Sequence, residues 1–281
     1  EKGKHLITQS TEHKAVLDTV ESLAQDGWDI TTVPVNEDGV VDPGSIRKAI
    51  RQDTVLAIVM HANNEIGTIH PINEIGAICK EKDVQFLVDA SQSFGKLPID
   101  VNEINIDLLA ATAHKIYGPK GIGMLYVRRK DPKVKLVTHM TGGGHEFGYR
   151  SGTLPVPLIV GFATATEKCL ETMGIENARL RRLRDKMINE IAAAHPEVIL
   201  NGSIQDRLSN NVNFCFPNID AETLIIKMKG IACSTGSACT SANLEPSHVI
   251  KALGRSNELA HSAIRFSLGR FNTDQEIEYA I

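Results

Sequence analysis

Leu108-Leu109-Ala110-Ala111-Thr112-Ala113-His114-Lys115-Ile116-Tyr117-Gly118-Pro119-Lys120-Gly121 runs from an apolar stretch into a Gly/Pro-rich turn. That puts Lys115 at a strand end, where partial desolvation would favour the neutral amine that attacks carbonyls. Upstream, Val84-Gln85-Phe86-Leu87-Val88 reads as a buried strand closed by Asp89, with Gln92 three residues on. Pyridoxal phosphate needs an amine for a Schiff base and a carboxylate to keep its ring nitrogen protonated, and neighbouring strand ends would supply both. Taken singly, Lys115 also reads as a solvated loop lysine and Asp89 as a helix N-cap.

Outward from this stretch the periodicity alternates between helix and strand from Lys14 to about Tyr126, the pattern of a parallel sheet covered by helices. Val16, Leu17, Val20, Leu23 and Ala24 share a helical face, and Gly27 stops that helix. Residues 30–33, 55–60 and 123–127 read as strands, with Ile72, Ile75, Ile78 and Cys79 marking a helix. Asp89 and the His114-Lys115 pair then fall beyond the carboxyl ends of strands, where sites in such sheets form. After Pro155-Val156-Pro157 a long helical region carries the stripe Leu180, Leu183, Met187 and Ile191, while Arg179, Arg181, Arg182 and Arg184 read as its solvated face. Val212, Phe214 and Phe216 alternate as a half-buried strand, Leu224, Ile225 and Met228 suggest a helix, and residues 264–268 another strand. The expected fold class is α/β, with a mainly parallel large domain over residues 1–170 and a smaller α+β C-terminal domain over 171–281.

The 281 residues are 42% hydrophobic and 23% charged, enough for a large core. A net charge of -4 argues against a nucleic-acid-binding face, and no apolar run approaches the ~18 residues of a membrane span. Small molecules or proteins are the expected partners. Cys79, Cys169, Cys215, Cys233 and Cys239 form no CxxC pair, which suits a reducing compartment. Cys79 and Cys215 read as core cysteines, and Cys233 is expected to be buried too. Cys239 sits instead in Ser234-Thr235-Gly236-Ser237-Ala238-Cys239-Thr240-Ser241-Ala242-Asn243, a run with little to bury that reads as a mobile loop exposing its thiol. An incidental free thiol is the plainer alternative.

Seven blocks occur in the order in which cysteine desulfurases carry them. They are Thr11-Glu12-His13-Lys14-Ala15-Val16, Asn63-Asn64-Glu65-Ile66-Gly67, Asp89-Ala90-Ser91-Gln92, the run from His114 to Gly121, Arg150-Ser151-Gly152-Thr153, Gly236-Ser237-Ala238-Cys239-Thr240-Ser241 and Ile264-Arg265-Phe266-Ser267. The chain resembles the long-loop class of that family, the NifS/IscS type. The resemblance implies a homodimeric fold type I pyridoxal-phosphate-dependent transferase that converts L-cysteine to L-alanine and leaves a persulfide on the enzyme.

By that resemblance Lys115 is the Schiff-base lysine and proton shuttle, Asp89 the partner of the ring nitrogen, and Gln92 a donor to the ring oxygen with Asn64 at the same edge. His13 is similar to the histidine that stacks on the ring and acts in catalysis. Thr112, His114 and Thr153 resemble phosphate ligands, and the counterpart of Thr153 reaches in from the other subunit, so that Gly142-Gly143-Gly144 and residues 150–153 would help form a shared site. Arg265, with Asn64, would bind substrate; a planar guanidinium suits a carboxylate, and an inward arginine on an apolar strand is costly without one. Cys239 would accept the sulfur and carry it to an iron–sulfur scaffold or other acceptor protein, where it is expected to ligate a cluster transiently; no intrinsic metal is expected.

Family members carry a phosphate-binding Gly-Ala-Thr turn before the stretch matching Gly3-Lys4-His5, and a final helical segment beyond the counterpart of Ile281, so the sequence reads as a fragment at both ends. A selenocysteine lyase on the same fold, or an inactive partner or scaffold subunit, are the other readings. The resemblance implies the cytoplasm of a bacterium or the mitochondrial matrix of a eukaryote, and leaves the sulfur acceptor and the choice between housekeeping and nitrogen-fixation service open.

Overall fold

His5-Leu6-Ile7-Thr8-Gln9 forms a strand, β1 (His5–Gln9), that is buried along its whole length. Periodicity does not reveal it, because three of its five residues are polar and hydrogen bonds replace apolar contact. The His5 ring meets Thr54 Oγ1 through Nδ1 at 2.7 Å and Thr31 Oγ1 through Nε2 at 2.8 Å, tying β1 to both neighbours. The computed structural model describes residues 3–235 and 245–281. Among them, β1 lies in a six-stranded sheet with β2 (Asp29–Val33), β3 (Thr54–Met60), β4 (Gln85–Asp89), β5 (Leu108–Thr112) and β6 (Gly123–Val127), in the order β2-β1-β3-β4-β5-β6. All neighbours are parallel except β5 and β6. The chain winds outward from β1 to β2, then returns across to β3, so a crevice opens between β1 and β3 at their carboxyl ends.

The helices follow local rules. α1 (Lys14–Gln25) starts where the His13 side chain accepts from Ala15 N, and the chain leaves it through Gly27 at φ +83°. α2 (Pro43–Ala49) is capped by Asp42 and opens on proline. α3 (Ile72–Glu81) buries Ile72, Ile75, Ile78 and Cys79 as its periodicity requires. A one-turn 3-10 helix, Ala113–Ile116, follows β5 directly.

α4 (Val156–Ala194) is 39 residues long and joins two cores. Its Phe162 and Cys169 pack with the six-stranded sheet. Its Leu180, Leu183, Met187 and Ile191 pack against Val212, Phe214, Ile264 and Phe266 of a second, antiparallel sheet. That sheet has the order β7-β8-β10-β9, from β7 (Ile199–Leu200), β8 (Asn211–Cys215), β9 (Ser234–Thr235) and β10 (Ala263–Ser267). Residues 170 and 171 therefore lie within one helix. The remaining helices are α5 (Ala221–Lys227), α6 (His248–Ala252), α7 (Asn257–His261) and α8 (Asp274–Ala280). No helix among the described residues is long and apolar enough to cross a membrane.

Three sequence expectations change. β8 is buried on every residue rather than on one face, because α4 covers one side while Val249, Ile250 and Leu253 pack against Cys215 on the other. The arginines of α4 are not all solvated. Arg184 is buried and donates to the carbonyls of Arg207 and Leu208 at 3.1 Å each, and Arg179 donates to those of Gly269, Arg270 and Asn272, so hydrogen bonds compensate the desolvated charge. Cys233 is half-buried, because the chain there has not yet entered β9.

Close packing also fixes Gly76. A Cβ at that position of α3 would lie 1.8 Å from the carbonyl oxygen of Ile104. Gly76→Ala is expected to lower unfolding stability by about 1–3 kcal/mol, the cost of overpacking, read as a lower urea midpoint. An unchanged midpoint would contradict the contact.

Candidate active site

Parallel register brings four loops to one edge of the large sheet. Met60 pairs with Asp89, and Asp89 with Ala110, so the ends of β3, β4 and β5 stand level. The loop after β1 supplies Thr11, Glu12 and His13; the loop after β3 supplies Asn63 and Asn64. A side-chain bond ties these two across the crevice: Asn63 Nδ2 donates to the Thr11 carbonyl at 2.8 Å. Asn63 Oδ1 also accepts from Glu65 N at 2.8 Å and Ile66 N at 3.0 Å, which shapes the turn that presents Asn64.

Asp89 ends β4 half-buried, with Oδ1 accepting from Ser91 N at 2.8 Å. Gln92 is half-buried in the turn that follows. Thr112 ends β5, its Oγ1 2.8 Å from His114 Nδ1. Partial desolvation, then the charges of Lys115 and Lys120, hold His114 below the ordinary imidazole value. His13 is half-buried, with Nδ1 accepting from Ala15 N at 3.1 Å, so its capping role leaves Nε2 for other contacts.

Lys115 is exposed rather than partly desolvated. The chain turns into the 3-10 helix straight after Thr112, and Ile116 takes the inward position, leaving Lys115 to face a cleft it shares with Lys96, Tyr117, Cys169 and Asn177. Lys96 is the more desolvated amine there. Burial, and secondarily the charge of Lys115, pushes it down to about 8.

The second sheet reaches this edge through Arg265 on β10. Its Nη1 donates to the Asn64 main-chain carbonyl at 2.8 Å, so two residues 201 positions apart meet. Ser234 of β9 pairs with Arg265 in the register of the second sheet. Cys239 lies outside the described residues. Thr153 is exposed, and no hydrogen bond within the described residues joins it to Thr112 or His114.

Sequence reasoning missed Glu12. It is fully buried, its Oε1 accepting from Met60 N at 2.5 Å and from Gln9 Nε2 at 2.9 Å, while Oε2 has no partner. Burial, with a smaller push from the charge of Asp89, raises it to about 8. Glu12 thus keeps its proton at neutral pH and adds no second negative charge beside Asp89. His61 and His70 are also buried under the site, and burial lowers them to about 4 and about 3, so both are neutral imidazoles. Position next to His13 was the available signal for Glu12; its burial depends on β1 and β3 lying side by side.

The donor set suits pyridoxal phosphate. A carboxylate at one strand end, a hydroxyl–imidazole pair at the next, and an amine one residue beyond match a pyridinium, a phosphate and an aldehyde. Among the described residues no group of three or more His, Cys, Asp or Glu could hold a metal ion.

The family model for class-V aminotransferases matches residues 1–280. A cysteine desulfurase IscS of Pectobacterium carotovorum subsp. carotovorum (strain PC1) is 52% identical over 280 residues, which cover all of this chain and 69% of that protein. A solved structure described as a NifS-like protein superposes with a TM-score of 0.90 at 35% identity, over all of this chain and 73% of its own. Another, described as SspA in complex with cysteine, superposes at 0.82 with 39% identity, over 97% of this chain and 76% of its own.

The protonated state of Glu12 has a pH signature. The native protein holds this proton up to about pH 8, whereas the unfolded chain releases it near the ordinary carboxylate value of about 4.3. Stability therefore falls as pH rises between those values. Glu12→Gln carries no such proton, so its stability relative to the parent should increase from pH 5 to pH 8 in urea unfolding. A difference that does not change with pH would place the charge on Glu12 instead.

Proposed function

The chain belongs to the cysteine desulfurases of the class-V aminotransferase family, and from that membership we propose how its own residues remove sulfur from L-cysteine. It is a pyridoxal-phosphate enzyme that yields L-alanine and passes the sulfur to an enzyme persulfide. The bound cofactor supplies an aldehyde to hold the amino acid and a ring that accepts electrons while bonds at Cα and Cβ are weakened. The observation that carries the assignment is the placement of Asp89 and Lys115 beyond the ends of adjacent parallel strands, with Arg265 delivered to Asn64 from the other sheet.

In this reading Lys115 would hold the cofactor and would move a proton at the substrate Cα; its exposure leaves it free to swing. Asp89 keeps the ring nitrogen protonated. Gln92 would donate to the ring oxygen with Asn64 beside it, His13 would stack on the ring, and Thr112 with His114 would hold the phosphate. Arg265, with Asn64, binds the substrate carboxylate, and the fork geometry of guanidinium fixes the amino acid's orientation. The Cys239 thiolate forms the new S–S bond as the Cβ–S bond breaks. The electron pair of the broken bond stays on carbon, which takes up a proton on the way to alanine.

Thr153 contributes to the site of a second copy in a homodimer. Support comes from its exposure and from the exposure of the large apolar residues Val137, Phe147, Val156 and Val160 that flank it in sequence, side chains that a partner would cover. The persulfide then passes to an iron–sulfur scaffold or other acceptor protein. Cytoplasmic action is supported by the bacterial relative and by the four free cysteines among the described residues.

With cofactor and L-cysteine the protein should release alanine and acquire a persulfide. Cys239→Ala should abolish the persulfide while leaving the cofactor's absorbance in place, and Arg265→Lys should raise the KM for L-cysteine by about tenfold through loss of the bidentate fork. Persulfide formation at an undiminished rate in Cys239→Ala would overturn the role of that thiol.

A further inference from the structure

Glu65 lies one residue beyond Asn64, and none of the chemistry above uses it. It is 5% exposed. Its main chain is held on both sides: the N–H donates to Asn63 Oδ1, and the carbonyl accepts from Asn211 Nδ2 and Asn213 Nδ2 at 3.1 Å each. Only the side chain retains freedom. Its Oε2 accepts from Ser247 Oγ at 2.5 Å, and Ser247 is itself 4% exposed. The same Ser247 oxygen accepts from Ile250 N at 3.3 Å as the cap of α6, so its single proton is committed to Glu65.

Arg265 stands close by with its charge unspent. Nη1 is given to the Asn64 carbonyl, Nε is sealed from solvent with no partner, and no ion pair joins Arg265 to Glu65. Yet Glu65 feels the arginine: burial raises its carboxyl to about 7, and Arg265 is among the groups that oppose the rise. A buried carboxylate and a guanidinium attract strongly in a low-dielectric setting. A direct pair would neutralise the arginine meant for substrate.

We propose that Ser247 is a positioning residue that holds the Glu65 side chain away from Arg265 and so reserves the guanidinium for a carboxylate-bearing ligand. This rests on the assignment of Arg265 to the substrate carboxylate. Ser247 acts through Glu65, and Glu65 is a competitor to be restrained.

The test is a double-mutant cycle in the cofactor-loaded protein, with two readouts: steady-state turnover of L-cysteine, and calorimetric binding of the product L-alanine. Ser247→Ala frees Glu65 to pair with Arg265, so the KM for L-cysteine and the Kd for L-alanine should both rise by about tenfold, with kcat changed by less than about twofold. Glu65→Gln removes the competitor and should lower both constants. The double variant Ser247→Ala with Glu65→Gln should regain the affinity that Ser247→Ala loses. Ser247→Ala also removes a helix cap, and a lost cap alone cannot be repaired by a change at Glu65. A double variant as weak as Ser247→Ala, or a weakened Glu65→Gln, overturns the proposal; the latter variant is informative even if Ser247→Ala does not fold. Failure of the parent protein to release alanine would instead sink the activity itself.

Discussion

The turn Asn63-Asn64-Glu65 holds the two sheets to each other. It ends β3 at the crevice beside β1, and it is also where the second sheet attaches. Asn63 binds the chain after β1, Asn64 receives Arg265, and Glu65 receives Asn211, Asn213 and Ser247. Gly67 makes the approach possible. Its φ is +73°, and a Cβ there would come within 2.7 Å of Asn211. Beyond it Leu208 N donates to the Gly67 carbonyl and Ile69 N to that of Asp206, so main-chain bonds continue the junction. Arg265, the arginine proposed for the substrate carboxylate, is thereby fixed on one sheet relative to Asn64 at the edge of the other.

Burial then decides which groups around that edge carry charge. Glu12, His61 and His70 lie beneath it in their neutral forms, because desolvation outweighs the interactions that oppose it. Asp89 is half-buried and accepts a main-chain N–H. Burial thus keeps Glu12 protonated under the sheet edge, near the Asp89 proposed as partner of the ring nitrogen. The clusters are small. Each depends on the exact neighbours that β1, β3 and β4 bring together.

Much of this was legible in the sequence. Strands β3, β4 and β5 announce themselves by β-branched and apolar runs, α3 by its isoleucine spacing, and the order of the short blocks carried the resemblance and with it Lys115, Asp89 and Arg265. What stayed hidden has common physical causes. β1 carries polar residues, and its His5 finds partners only on the strands to either side, while Arg184 looks like a surface charge until the carbonyls of Arg207 and Leu208 are placed around it. The exposure of Lys115 follows from an immediate 3-10 turn after β5, which hydropathy does not encode. Glu65 and Ser247 are separated by 182 positions, so their bond has no local signature at all.

We propose that Lys115, the amine after β5, and no other holds the cofactor. Lys96 makes the question sharp, since it lines the same cleft and is the more desolvated of the two lysines. Borohydride reduction of the pyridoxal-phosphate-loaded protein, followed by peptide mapping, answers it directly. A pyridoxyl group on Lys115 is expected. A label on Lys96, or on any other lysine with Lys115 unmodified, would contradict it.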